Sequence, residues 1–292
     1  MTLPLPHVDG VEHRWVEAGG VRLHVAEAGA GEPLVLLHGW PQHWYEWRDV
    51  IGPLAERYRV ICPDLRGFGW SEAPTRGYEK ETLTDDVIAL LEALGHERVH
   101  LAGHDWGGFV GFLLCLRRPD LVERYVALNI IHPWPRLDPG TVLELWRPLH
   151  AYVLSAPVVG QRLLRHAPAV LRRLLQAATR PGTFNRVELD AFADPLRQPA
   201  RARATTALYR TFVVHELAAL ARGRYTGARL VTPTLFLFGT ADWVITERML
   251  HGFEDHADDM ELELVPGVGH FIVDERPELV VERALEFFSR RP

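Results

Sequence analysis

The chain has 292 residues, 47% of them apolar, which is enough to bury one large core or two small ones. Its formal charge of −6 excludes a general attraction to nucleic acid, and no apolar run approaches the ~20 residues that span a bilayer. Cys62 and Cys115 form neither a disulfide framework nor a metal site, and residues 1–20 lack the basic and apolar regions of a secretion signal, so a reducing, cytoplasmic setting is expected.

Residues 13–16 and 21–26 flank Ala18-Gly19-Gly20 and predict an antiparallel hairpin. Residues 34–37 are continuously apolar, as in a central buried strand. His38-Gly39-Trp40-Pro41 follows, where Gly39 and Pro41 force a sharp turn that can aim the Trp40 N–H at the end of a neighbouring strand. Residues 44–56 read as helix and 59–64 as strand. The next loop, Leu65-Arg66-Gly67-Phe68-Gly69-Trp70-Ser71, is glycine-rich but lacks the Lys and Ser/Thr of a phosphate-binding loop, so it reads as bracing near the sheet's carboxyl edge. Residues 82–95 predict an amphipathic helix with Thr84 as cap, Val87, Leu90, Leu91 and Leu94 on one face, and Gly95 ending it.

Residues 99–101 form an apolar strand that runs into Gly103-His104-Asp105-Trp106-Gly107-Gly108, and a helical pattern starts at once (Phe109, Val110, Phe112, Leu113). Small residues around an acid at a strand-to-helix turn have the layout of a nucleophile elbow, with Asp105 where a serine hydrolase carries Ser. A helix N-terminus favours an ionised carboxylate there. The backbone N–H groups of Trp40 and Trp106 then converge as an oxyanion hole. Residues 125–128 give another strand, ending at Asn129.

The pattern changes near residue 132. Pro133, Pro135 and Pro139 mark a linker, and a helical, Arg-rich stretch follows to about residue 225, with Pro168 separating two helices. From residue 133 to 225 there are 14 Arg against 6 Asp and Glu, so this segment carries +8 and the rest −14. Such a basic amphipathic stretch can lie on a membrane surface, but burial against the rest of the protein and a solvated outer face explain it more simply. Strand–helix alternation resumes at residue 229. It brings the apolar run 233–238 leading to Asp242, the strand 262–265 leading to Gly269-His270-Phe271, and a last helix over 277–289. The order acid nucleophile, Asp, His matches an α/β-hydrolase triad. Alternating strands and helices predict an α/β fold with a mostly parallel, doubly covered sheet.

With these motifs in place, nearly the whole chain resembles the α/β-hydrolase epoxide hydrolases, whose relatives include haloalkane and haloacid dehalogenases. The resemblance rests on His38-Gly39-Trp40-Pro41-Gln42, Gly103-His104-Asp105-Trp106-Gly107-Gly108, Asp242-Trp243-Val244 and Gly269-His270-Phe271. It implies a core of residues 1–132 and 226–292 with a helical cap, 133–225, inserted after the sixth core strand. It also implies Asp105 as nucleophile, His270 as base and Asp242 as its orienting acid, with no metal or organic cofactor. The substrate would be a small, apolar epoxide, opened to a vicinal diol by a monomer or homodimer that needs neither nucleic acid nor membrane.

Two cap side chains polarise the epoxide oxygen in this family. Tyr209, followed by Arg210, matches the second. Counting back from Pro157 puts the first on His150, with Tyr152 as the alternative. Further substrate contacts are expected from His38, Phe109, Tyr152 and Trp146. A haloalkane dehalogenase remains the rival reading, with Trp106 as one halide donor and Trp134 or Trp146 as a second. Haloacid enzymes of the fluoroacetate type carry Arg one and four residues after the nucleophile, where this chain has Trp106 and Phe109, which cannot pair with a carboxylate. A non-catalytic binding module would have no need of the complete set of nucleophile, acid and base.

Overall fold

The computed structural model describes residues 4–136, 139–144 and 147–290. Eight strands form one sheet among them: β1 (Glu12–Ala18), β2 (Val21–Ala28), β3 (Glu32–Leu37), β4 (Tyr58–Pro63), β5 (Val99–His104), β6 (Val122–Leu128), β7 (Thr234–Gly239) and β8 (Met260–Val265). Their order is β1-β2-β4-β3-β5-β6-β7-β8. β1 and β2 form the expected hairpin, β2 also pairs antiparallel with β4, and the remaining pairs are parallel.

The helices in chain order are α1 (Arg48–Ala55), α2 (Lys80–Ala93), α3 (Asp105–Arg117), α4 (Pro139–Glu144), α5 (Leu149–Ser155), α6 (Pro157–His166), α7 (Pro168–Ala177), α8 (Arg186–Ala193), α9 (Pro199–Thr211), α10 (Leu217–Ala221), α11 (Ile272–Glu275) and α12 (Pro277–Phe288). Alternation along the strands divides the core between the two faces of the sheet. Leu34, Leu36, Ala102, Val126 and Leu237 pack with Val50 and Leu54 of α1 and Val280 and Ala284 of α12. Val35, Leu37, Leu101, Ala127 and Phe236 pack on the other side with Val87 and Leu90 of α2 and Phe112 of α3.

Between β6 and β7 the described chain is helical, from α4 to α10. Pro168 does separate two helices, because its ring fits the first turn of α7 and cannot continue α6. This stretch is tied to the rest by Arg48 to Glu188 (3.2 Å), Trp40 Nε1 to Thr205 Oγ1 (3.3 Å), Tyr225 hydroxyl to Glu81 (2.9 Å) and Lys80 to Glu216 (2.7 Å). No helix among the described residues is long and apolar enough to cross a membrane.

Thr84 does not cap α2. The helix begins four residues earlier, and the Thr84 hydroxyl donates back to the Lys80 carbonyl at 2.8 Å inside it. The first N–H, that of Lys80, is satisfied instead by Glu216, 136 positions away in sequence (2.8 Å). Residues 44–56 are likewise split, with a short 3-10 turn over Trp44–Trp47 before α1. The glycine-rich loop braces the sheet's edge. Asp64 accepts the N–H groups of Trp44 and Trp70, each at 2.8 Å, and Ser71 Oγ links the Asp64 carbonyl (2.6 Å) to the His24 N–H (2.8 Å).

Helix α3 starts within one residue of the end of β5 and leans on the end of β3. A Cβ on Gly107 would strike the carbonyl oxygens of Leu37 and His38, both rigid backbone. Gly107→Ala is therefore expected to lower the unfolding free energy by about 2–3 kcal/mol in urea titrations. A wild-type midpoint and slope would show that the helix has room to shift.

Candidate active site

The carboxyl ends of β3, β5, β6, β7 and β8 meet at one place, where a crevice is expected in a parallel sheet. Asp105 sits at the junction of β5 and α3 with φ +46°, a left-handed conformation that costs a non-glycine residue roughly 1–2 kcal/mol. That strain turns its side chain back over the sheet. Trp40 N–H donates to Asp105 Oδ2 at 2.9 Å, and the Trp106 N–H adds a second backbone donor to the carboxylate. Oδ2 is thus held by the first of the two sequence-predicted donors, with the second also on the carboxylate.

The other oxygen, Oδ1, lies 4.0 Å from His270 Nε2. This separation is too long for a direct hydrogen bond. His270 Nδ1 donates to Asp242 Oδ2 at 2.7 Å. Asp242 is saturated: its Oδ1 accepts the N–H groups of Val244 (2.8 Å) and Ile245 (3.1 Å), and its Oδ2 also accepts Asn129 Nδ2 (3.0 Å). Asn129, at φ +38°, is held in turn by the Gly239 N–H on its Oδ1 (3.1 Å).

Beneath the elbow lies a buried ion pair. His104 Nδ1 is 2.7 Å from Glu46 Oε1, and His104 Nε2 donates to the His270 carbonyl at 2.9 Å. Both neighbours are acceptors, so both ring nitrogens carry protons. Burial works against that charge, but the Glu46 carboxylate outweighs it and pushes His104 up to about 9. The second Glu46 oxygen accepts the Gly39 N–H at 2.9 Å.

The electrostatics follow from burial and partners. Burial raises the Asp105 carboxyl above its ordinary range, against the pull of His270, His104 and the two backbone N–H groups. For Asp242, burial is outweighed by the neighbouring His270, and its carboxyl is lowered. For His270, burial is outweighed by Asp242, and the imidazole is raised. Burial pulls His150 down to about 4, so it is a neutral ring near pH 7. Burial, and then the Asp105 anion, push the Tyr209 hydroxyl well above its usual value, so it keeps its proton.

These residues face a cavity of about 130 Å³. Asp105, His270, Trp40, Trp106, His150, Tyr152 and Tyr209 all line it. Tyr209 stands edge-on among three rings, with centroids 5.1 Å from Trp40, 5.8 Å from His150 and 5.9 Å from Trp106. His150 stacks on Trp40 at 5.9 Å, and its Nδ1 has no partner among the described residues.

Two expected contacts are absent from the wall. His38 is buried below it, where its Nδ1 donates to the Gly39 carbonyl and its Nε2 accepts the Leu65 N–H, each at 2.9 Å. Both ring nitrogens are thus spent on holding loops. Phe109 is one turn inside α3, where the helix has passed under the cavity into the core. Trp134 is also removed, since its indole N–H donates to the Tyr225 carbonyl at 2.7 Å. Trp146 lies outside the described residues. The sequence reading missed Ile130, Ile131, Trp243, Val244 and Phe271, all on the wall. Each lies just past the end of β6, past the acid after β7 or beside His270, and that position was the available signal.

The model of the α/β-hydrolase fold family matches residues 32–277. A soluble epoxide hydrolase of Corynebacterium sp. (strain C12) is 33% identical over 285 residues, covering 96% of this chain and 98% of that protein. The chain belongs to the epoxide hydrolases of the α/β-hydrolase fold. Epoxide hydrolase A of Mycobacterium tuberculosis is 31% identical over 313 residues, covering 94% of this enzyme and 97% of its own length. The solved structure of the epoxide hydrolase CorEH without ligand matches this epoxide hydrolase with a TM-score of 0.82 at 32% identity, over 96% and 99% of the two chains.

The raised imidazole gives this epoxide hydrolase a pH signature. A base works only when deprotonated, so any step that needs neutral His270 should be lost as pH falls through a midpoint above the ordinary histidine value of about 6.5. In Asp242→Asn, single-turnover measurements should show a slower step and a lower midpoint, because the partner that raises His270 is gone. An unchanged midpoint in that variant would remove Asp242 as the cause.

Proposed function

We propose that this enzyme adds water to an apolar epoxide through an ester on Asp105, with the helical stretch 133–225 as a cap over the core of residues 1–132 and 226–292. The observation that carries the reading is the division of labour on one carboxylate. Oδ2 accepts the Trp40 N–H, while Oδ1 is the oxygen nearest the His270 imidazole, on a residue that lines the cavity.

Asp105 Oδ1 attacks the less hindered ring carbon in line with the breaking C–O bond. The ring oxygen takes the Tyr209 proton, assisted by a hydrogen bond from neutral His150. His150 thus serves as a donor of one N–H and not as a cationic acid. Tyr152 stands as the alternative first donor, since it lines the same cavity. A covalent ester results.

His270 then takes a proton from a water, and the hydroxide attacks Cγ of Asp105. The tetrahedral oxyanion forms at Oδ2, already in its hole, where loss of one donor typically costs about 10²-fold. Collapse breaks the bond from Cγ to Oδ1, which leaves with the substrate and receives the proton from His270. The proton left on the new carboxyl replaces the one that Tyr209 gave up. The product is a vicinal diol, and no metal or organic cofactor takes part. Two free, buried cysteines suit a reducing, cytoplasmic setting, and the enzyme is taken to act as a monomer or homodimer.

His270→Gln should still form the ester but not release it. Intact-protein mass spectrometry after mixing with styrene oxide should show an adduct of the epoxide's mass, absent in Asp105→Ala. Halide release from bromoalkanes without diol from styrene oxide would overturn the proposal in favour of dehalogenation.

A further inference from the structure

Lys80 is the only lysine in the chain and has no part in the chemistry above. Its side chain is 1% exposed and lies at the first residue of α2, outside the cavity wall. A buried ion pair adds little net stability over an apolar pair of the same shape, so its placement calls for another reason.

The ammonium donates to Glu216 Oε2 at 2.7 Å and to the Leu208 carbonyl at 3.0 Å. It also sits 4.5 Å from the centroid of the Trp106 ring and 5.4 Å from that of Phe212, within cation–π range of both. Glu216 Oε1 accepts the Lys80 N–H, so the two residues grip each other twice. Leu208 immediately precedes Tyr209. Glu216 ends the segment Phe212–Glu216, which winds as a π-helix straight after α9. Such a widened turn inside a helix often marks a functional site. Lys80 bridges the last turn of α9 and the far end of the widened turn: it holds the carbonyl just before Tyr209 and the carboxylate of Glu216. Trp106 and Phe212, whose rings meet at 4.8 Å, fill the space between.

We propose that Lys80 is a positioning residue for epoxide opening. Together with Glu216 it clamps the widened turn and the Trp106 indole, and so fixes where the Tyr209 hydroxyl meets the ring oxygen. The inference rests on the reading of Tyr209 as proton donor. It predicts that Lys80 acts on ester formation, which uses Tyr209, and not on ester hydrolysis, which uses His270.

Quenched-flow and intact-protein mass spectrometry with styrene oxide separate the two steps. Lys80→Met should slow ester formation about tenfold while ester hydrolysis stays within roughly twofold of wild type. Glu216→Gln should act in the same direction, which keeps the test available if Lys80→Met does not fold, and Lys80→Arg should restore part of the lost rate. In a Tyr209→Phe background Lys80→Met should add less than about twofold, since it would have nothing left to position. Equal slowing of both steps, or a full effect persisting in Tyr209→Phe, would overturn the role of Lys80. Normal slowing by Tyr209→Phe with no effect of Lys80→Met or Glu216→Gln would overturn it as well. Wild-type ester formation in Tyr209→Phe alone would instead sink the donor reading, and this inference with it.

Discussion

The hydrogen bond from the Trp40 N–H to Asp105 Oδ2 registers the whole carboxyl edge of the sheet. It joins the turn after β3 to the turn after β5 and decides which carboxylate oxygen is free. A carboxylate rotates readily about its last torsion, so an unheld Asp105 would present either oxygen in changing directions. Held as it is, one oxygen is turned toward His270 and the other rests against the Trp40 N–H. The strained backbone of Asp105 is the cost of that aim.

The support for this bond is electrostatic and buried. His104 and Glu46 form a pair with no exposed side-chain surface. Through it the Gly39 N–H, the elbow and the His270 carbonyl are connected to one another. The cationic ring lies next to Asp105 and favours its ionised form, which burial alone would oppose. Asn129 does the corresponding service on the far side, linking Asp242, Gly239 and Gly269. Asp105, the Trp40 turn and His270 are thus held on both sides by direct contacts to buried polar groups.

What sequence could reveal divides along the range of the interactions. The elbow, the turn at Gly39-Trp40-Pro41, and the acid and histidine at strand ends are local patterns of small and charged residues, so they are readable by position. Strand and helix order follows from periodicity for the same reason. Thr84 misled because a helix cap was sought nearby, whereas the α2 N-terminus is met by Glu216 from a distant helix. His38 belongs to a motif that invites a substrate contact, yet two backbone groups occupy its ring. Phe109 has the right spacing from Asp105 but lies where the helix has left the cavity. The neutral state of His150 depends on its burial, which no spacing encodes.

Lys80 carries a consequence of its own. A folded chain whose sole ε-amine is sealed between α2 and the turn after α9 offers amine-directed reagents no side chain to attack. Acylation at that nitrogen would therefore time how often the overlying helices lift away, giving the molecule an internal reporter of breathing that needs no engineered label.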